Sequence, residues 1–186
     1  MTSRLLLSLA CALLVAAEAA SSAATLRTPH VELSLEAERG PARPGEVLWV
    51  ALHYDLEPHW HVYWRNPGDS GEPPRVQWEL PEGWQAGEIH WPVPRRIPVG
   101  PLVNYGYEDR VSLLVPVRIA ALPPSRDSVA IVAHVTWLVC REECIPESGS
   151  LKIELPPAGT AAARNEVPRL YQLRPATAAT SSTETV

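Results

Sequence analysis

Phenylalanine is absent from this chain and methionine occurs once, so the aromatic weight of any core falls on seven tryptophans and five tyrosines. There is no surplus of positive charge either. Lys and Arg number 16 against 21 Asp and Glu, a net of -5, which argues against a nucleic-acid-binding surface. Beyond the first two dozen residues no stretch approaches the ~18 uninterrupted apolar residues of a membrane-spanning helix. No phosphate-cradling glycine loop, Ser/His/Asp grouping or paired-carboxylate motif stands out, so kinase and hydrolase chemistry have nothing to rest on. Cysteine is scarce as well, at three residues.

What is abundant is proline, at 20 residues, with tryptophans scattered between them. That composition suits short strands joined by fixed turns and disfavours long helices. The N-terminus has its own pattern. Arg4 precedes an apolar run from Leu5 to Ala17, and Ala17-Glu18-Ala19 then offers a small-residue cleavage site before Ala20. This is the layout of a secretory signal peptide over residues 1–19, and it predicts a periplasmic, disulfide-permissive location. Cys11 lies inside the apolar run with Ser8 three residues before it, which argues against a lipoprotein signal. Cleavage leaves about 160 residues, enough for one domain with a substantial core. It also leaves two cysteines, Cys140 and Cys144.

Period-two patterning runs through the middle of the chain. Val31, Leu33, Leu35 and Ala37 alternate with polar residues, and Trp60, Val62 and Trp64 alternate with His61, Tyr63 and Arg65. Val47 to Leu56 reads as a central strand, and Val76, Trp78 and Leu80 as another, which Trp84 to Trp91 can pair back upon as a hairpin. Asn66 to Pro74 reads as an ordered loop, and the proline-rich Pro92 to Pro101 as an extended surface loop. Tyr107 to Val117 and Val129 to Val139 are further strands, and Leu151 to Leu155 returns after the cysteines. Trp49, Trp78 and Trp137 are candidate core residues. Eight or nine short strands with turn signals about every ten residues predict an all-β, immunoglobulin-like antiparallel β-sandwich over residues 26–156. From 157 to 186 the composition turns to Ala, Thr, Ser and Pro, a tail or linker with a short helical piece possible around Ala161 to Leu173.

The chemistry concentrates in Trp137-Leu138-Val139-Cys140-Arg141-Glu142-Glu143-Cys144-Ile145-Pro146-Glu147. Two cysteines at the turn of a hairpin can meet the geometry of a disulfide, and closing so short a loop contributes only about 2 kcal/mol in the chain-entropy model. Three roles fit that spacing: a redox pair, an inert brace, or part of a metal site. The last needs two more ligands from among His53, His59, His61, His90 and His134, and His59 and His61 would share a face if both lay on a strand. Arg141 favours a thiolate, while Glu142, Glu143 and Glu147 oppose one.

Three blocks in order, HWHVYWRNPGDSG around Trp60 to Gly71, WPVPRRIPVGPLVNYGYEDRVSLLVPV and WLVCREECIPE, resemble the exported N-terminal domain of the thiol:disulfide interchange protein DsbD. Within that family they resemble the branch that includes the suppressor-of-copper-sensitivity protein ScsB. The resemblance covers roughly residues 30 to 156. It implies a sandwich whose cysteines cycle between dithiol and disulfide without a bound cofactor, a protein-disulfide reductase type of interchange. Cys144 would be the attacking thiol and Cys140 the resolving one. A covering loop is also implied, with Arg95 to Asn104 as the candidate. Arg95 or Arg96 would screen the glutamates, and Tyr105 and Tyr107, next to that loop, would either touch the sulfurs or pack the sandwich. Implied partners are thioredoxin-like periplasmic oxidoreductases. The chain departs from the family in its closer cysteines and in having no membrane domain, which implies either a separately encoded membrane electron-transfer partner or a truncated reading frame. Two other readings stand beside this one: a binding module with a structural disulfide, and a copper-handling protein using the cysteines with His59 or His61.

Overall fold

The computed structural model describes residues 23–38, 43–120 and 128–156. The expected signal segment with Cys11, the Gly40-Pro41 and Pro123-Pro124 connections and the 157–186 tail lie outside the described residues. Within them the regular structure is eleven strands and no helix: β1 (Ala23–Arg27), β2 (Val31–Ala37), β3 (Val47–Leu56), β4 (His61–Gly68), β5 (Arg75–Glu79), β6 (Gln85–Ala86), β7 (Arg95–Val99), β8 (Leu102–Glu108), β9 (Arg110–Arg118), β10 (Val129–Cys140) and β11 (Cys144–Leu155).

The strands form two antiparallel sheets, ordered β1-β2-β3-β9-β6 and β11-β10-β4-β8-β7, with β5 paired beside β4 along the same edge of β10. Alternation decides which side chains meet between them. In β2, Val31, Leu33, Leu35 and Ala37 are buried, and in β10 the same holds for Val129, Ile131, Ala133, Val135, Trp137 and Val139. These residues join Leu48, Val50, Leu52 and Tyr54 of β3 and Val111, Leu113, Val115 and Val117 of β9 in one core. Burying each such side chain contributes about 1.5–3 kcal/mol before ordering entropy is set against it. Trp137 lies in this core with its ring edge-on to Tyr54. Trp78 is partly buried against it, whereas Trp49 packs outside it on Ala51 and Leu114.

Four sequence expectations change. Trp84 to Trp91 does not fold back on β5. The Pro81–Gly83 turn, with Gly83 at φ 77°, sends the chain across the sandwich, Trp84 enters the core, and β6 pairs with β9 in the other sheet. The stretch from Pro92 to Pro101 is not all loop, because it contains β7. Pro98 is accommodated there because β7 is the last strand of its sheet, where a missing N–H costs no ladder bond. Tyr107 to Val117 is two strands: Asp109, at φ 62°, lets the chain leave one sheet as β8 and enter the other as β9. β1, finally, is an additional strand that pairs antiparallel with β2.

Candidate functional site

β10 and β11 form a twelve-pair hairpin whose last pair is Cys140 with Cys144. The turn is closed by the Arg141 N–H donating to the Glu143 carbonyl at 3.1 Å. The two cysteines are disulfide-bonded with their Cα atoms 4.2 Å apart. Because Trp137 and Val139 face the core, Cys140 and its partner Cys144 face outward. Their environments differ sharply: Cys140 is only 2% exposed, whereas Cys144 is open to solvent.

What buries Cys140 is carried by the neighbouring strand. Val62 pairs with Val139 and His61 with Cys140, so Val62 points into the core while His61 and Tyr63 share the outer face with the cysteines. The Tyr63 hydroxyl lies 3.1 Å from the Cys140 sulfur and 3.3 Å from that of Cys144. Burial pushes the pKa of this phenol up, with a hydrogen bond to Ser70 acting the other way, so it keeps its proton and serves as a donor.

A loop sits over the Tyr63 ring. A Cβ on Gly71, which has φ 84°, would fall 2.1 Å from the Tyr63 ring carbon Cζ, so only glycine allows this approach. Residues 68–71 are fastened to β8. The Asp69 N–H donates to the Val103 carbonyl at 3.1 Å, and the Val103 N–H donates to Asp69 Oδ2 at 2.7 Å. Asn104 Oδ1 accepts from both the Ser70 N–H and the Ser70 hydroxyl, each at 3.1 Å. The sequence reads Asn66 to Pro74 as one ordered loop, but β4 runs on through Gly68, and the loop that remains, from Asp69, supports the aromatic ring that touches the disulfide.

The other expected site residues are placed as follows. Arg95 Nη1 lies 3.6 Å from both Glu108 Oε2 and Asp109 Oδ2, which directs its charge to those carboxylates. Arg96 is exposed and pairs in register with Tyr105. Tyr105 is 37% exposed and its ring lies beside Gly68. Tyr107 faces the core and donates its hydroxyl to the Pro92 carbonyl at 2.7 Å. The tyrosine in contact with the sulfurs is Tyr63, which sequence reasoning passed over. Its signal was present in the alternation with Val62, but only the β4–β10 pairing puts it beside the cysteines.

The charges flanking the cysteines in sequence also separate in space. Glu147 faces inward and accepts from the Thr28 hydroxyl at 2.5 Å. The Arg141 guanidinium stands over the Trp60 ring at 5.1 Å, and Trp60 in turn stacks on His30 at 3.8 Å, so Arg141 braces the hairpin tip. Glu142 and Glu143 are exposed. His59 is exposed in the turn before β4 with φ 71°, so it does not share a strand face with His61. Among the described residues no group of three or more His, Cys, Asp or Glu side chains is arranged to hold a metal ion.

His61 is 3% exposed and its ring meets Tyr63 edge-on at 5.2 Å. Its Nε2 is buried without a hydrogen-bond partner. Burial lowers its pKa, and the nearby charge of Glu108 opposes that shift.

A model of the family described as thiol:disulfide interchange protein DsbD, N-terminal, matches residues 31–156. Among solved structures, the N-terminal periplasmic domain of ScsB from Proteus mirabilis is similar with a TM-score of 0.59 at 22% identity. That likeness covers 75% of this chain and 54% of the other, so this chain spans about half of the ScsB structure it matches, and the fold they share is the immunoglobulin-like sandwich. The N-terminal domain of Neisseria meningitidis DsbD in its reduced form gives a TM-score of 0.42 at 13% identity, over 67% of this chain and 84% of that one. No curated protein matches this chain.

Proposed function

The chain belongs to the family of DsbD N-terminal domains, and from that premise we propose that it relays reducing equivalents between thioredoxin-like proteins of the periplasm by thiol–disulfide exchange through Cys140 and Cys144. The observation that carries this reading is the asymmetry of the pair. Cys144 is open to a partner while Cys140 is buried beneath a hydroxyl donor.

In the reducing half-reaction a partner thiolate attacks the Cys144 sulfur. The Cys140–Cys144 bond breaks, its electron pair leaves on Cys140, and a mixed disulfide forms between Cys144 and the partner. The Tyr63 O–H, already 3.1 Å from the Cys140 sulfur, stabilises the departing thiolate. A second partner thiolate then releases Cys144. In the outgoing half-reaction the Cys144 thiolate attacks a client disulfide, and Cys140 resolves the mixed disulfide by re-forming the Cys140–Cys144 bond. Bond exchange of this kind needs no bound cofactor.

A docking face is at hand. Leu138 and Pro146, one step along the same outward face from the cysteines, line a groove of about 360 Å³ together with Pro73, Glu72 and Arg75. An extended segment around a partner cysteine fits beside it, and a membrane electron-transfer partner would supply the electrons.

Trapping tests the assignment. Cys140→Ser, which leaves Cys144 free, should accumulate a mixed disulfide with an oxidised thioredoxin-like partner, and Cys144→Ser should trap little. Equal trapping by Cys144→Ser would overturn the roles. The potential of the pair tests the function itself. Roughly −180 to −270 mV fits a working oxidoreductase, and below about −300 mV the disulfide is a brace in a binding module.

A further inference from the structure

Four residues stand in one row across the outer face of a single sheet: Cys144 of β11, Cys140 of β10, His61 of β4 and Glu108 of β8. Side chains opposite each other on antiparallel strands have Cβ atoms about 4.5–5.5 Å apart, so the imidazole of His61 lies between the Cys140 sulfur and the Glu108 carboxylate. His61 is 3% exposed, and its buried Nε2 lacks a hydrogen-bond partner. An apolar residue of similar size would fill the space without stranding a nitrogen. A disulfide, moreover, has no proton to give and is a weak acceptor, so it cannot satisfy that nitrogen. The group that could satisfy it, a thiol or thiolate at Cys140, exists only once the disulfide opens.

We propose that His61 is a positioning residue for the exchange reaction, taking up a proton when the disulfide opens and holding the buried Cys140 sulfur as a thiolate paired with an imidazolium. This deepens the exchange reading above and rests on it. When the S–S bond breaks, its electron pair leaves on Cys140 and the site gains one negative charge. A proton from solvent moves onto His61, and the outer face returns to its starting net charge. In the disulfide form His61 is neutral, because burial outweighs the nearby carboxylate. In the dithiol form the thiolate adds to that carboxylate and reverses the balance. When Cys140 resolves a mixed disulfide the ion pair is consumed and the proton returns to solvent, so the electron and proton counts close over a cycle.

Among the described residues, the titratable and charged groups that face His61 are few. They are Cys140 on β10, Cys144 on β11, Tyr63 on its own strand and Glu108 on β8. Glu108 is partly neutralised by Arg95 of β7, which also reaches Asp109. Tyr63 keeps its proton, so the redox-dependent charge in this set lies on the cysteines.

Histidine-selective NMR titration of the whole protein, once oxidised and once fully reduced with a phosphine, tests this without a substitution. The expected result is a proton affinity at His61 roughly tenfold or more higher in the dithiol protein, as for a charge brought within a few ångströms. Superimposable His61 titrations in the two forms overturn the proposal and leave the exchange reading standing. A disulfide that the phosphine cannot open overturns both. As a second readout, His61→Gln should remove the thiolate of the reduced protein at neutral pH, because the proton then sits on the Cys140 sulfur itself; the ultraviolet absorbance of the thiolate reads this. Unchanged thiolate absorbance in a folded, reduced His61→Gln protein counts against the proposal equally.

Discussion

At the scale of single residues, the site depends on one phenol. Tyr63 is buried, and its hydroxyl is the polar group poised against both sulfurs. Removing only that oxygen, as in Tyr63→Phe, keeps the ring that supports Gly71. The substitution should therefore leave the melting temperature nearly unchanged. A hydrogen bond to a charged acceptor contributes about 1.5–3 kcal/mol, so loss of the donor should slow exchange with a thioredoxin-like partner roughly tenfold or more. Stopped-flow tryptophan fluorescence can follow that rate, and an unchanged rate would show that the hydroxyl merely packs. The cysteines themselves were legible in the sequence because spacing and the family resemblance both point at them. Tyr63 was not, since a tyrosine in an alternating strand has the same local signature whether it faces a disulfide or water.

At the scale of elements, β4 and the loop that follows it act as one unit with β8. The β4–β8 register shifts between Tyr63 and Gly68, and Gly68 takes φ 94° with no room for a Cβ beside the Val103 carbonyl. That irregularity lifts the chain out of the ladder and over the Tyr63 ring. Asn104, 1% exposed, then holds Ser70 by two bonds from one oxygen. Asn104→Ala should strand the Ser70 N–H and loosen the loop, at a cost of about 1–3 kcal/mol. Amide hydrogen exchange should speed up at Ser70 while the β10–β11 ladder keeps its protection. Uniform loss of protection would instead mean that Asn104 supports the whole sandwich. The sequence places an ordered loop over Asn66 to Pro74, where β4 continues through Gly68 and only residues 69–74 are loop, and it places the covering role on Arg95–Asn104. Prolines at 92, 94, 98 and 101 suggested an open loop there, and nothing local reveals that β7 occupies a sheet edge where Pro98 is tolerated.

At the scale of the molecule, the disulfide contributes little to what holds the sandwich together. It closes a three-residue turn at the end of a hairpin already paired along its length, and a large shared core lies between the sheets. Chain entropy assigns so short a loop about 2 kcal/mol. Reduction should therefore lower the melting temperature by roughly 5–10 °C with the fold retained, as a protein that cycles between both states requires. Differential scanning calorimetry with and without reductant measures this directly. Unfolding on reduction at 25 °C would mark the bond as a structural brace.

The sequence by itself determined that the chain is built of short strands, which face of β2 is buried, and that Cys140 and Cys144 meet at a turn. All of these follow from period-two alternation, turn residues and short-range spacing, which act within a few residues of one another. Tertiary structure alone decided which strands are neighbours. It brought β4 against the end of β10, divided Tyr107–Val117 between two sheets, and carried β6 across the sandwich. Pairing between strands distant in sequence is set by the whole core closing at once. For that reason the asymmetry of the cysteines, the contact with Tyr63 and the row through His61 to Glu108 come into view only in the folded molecule.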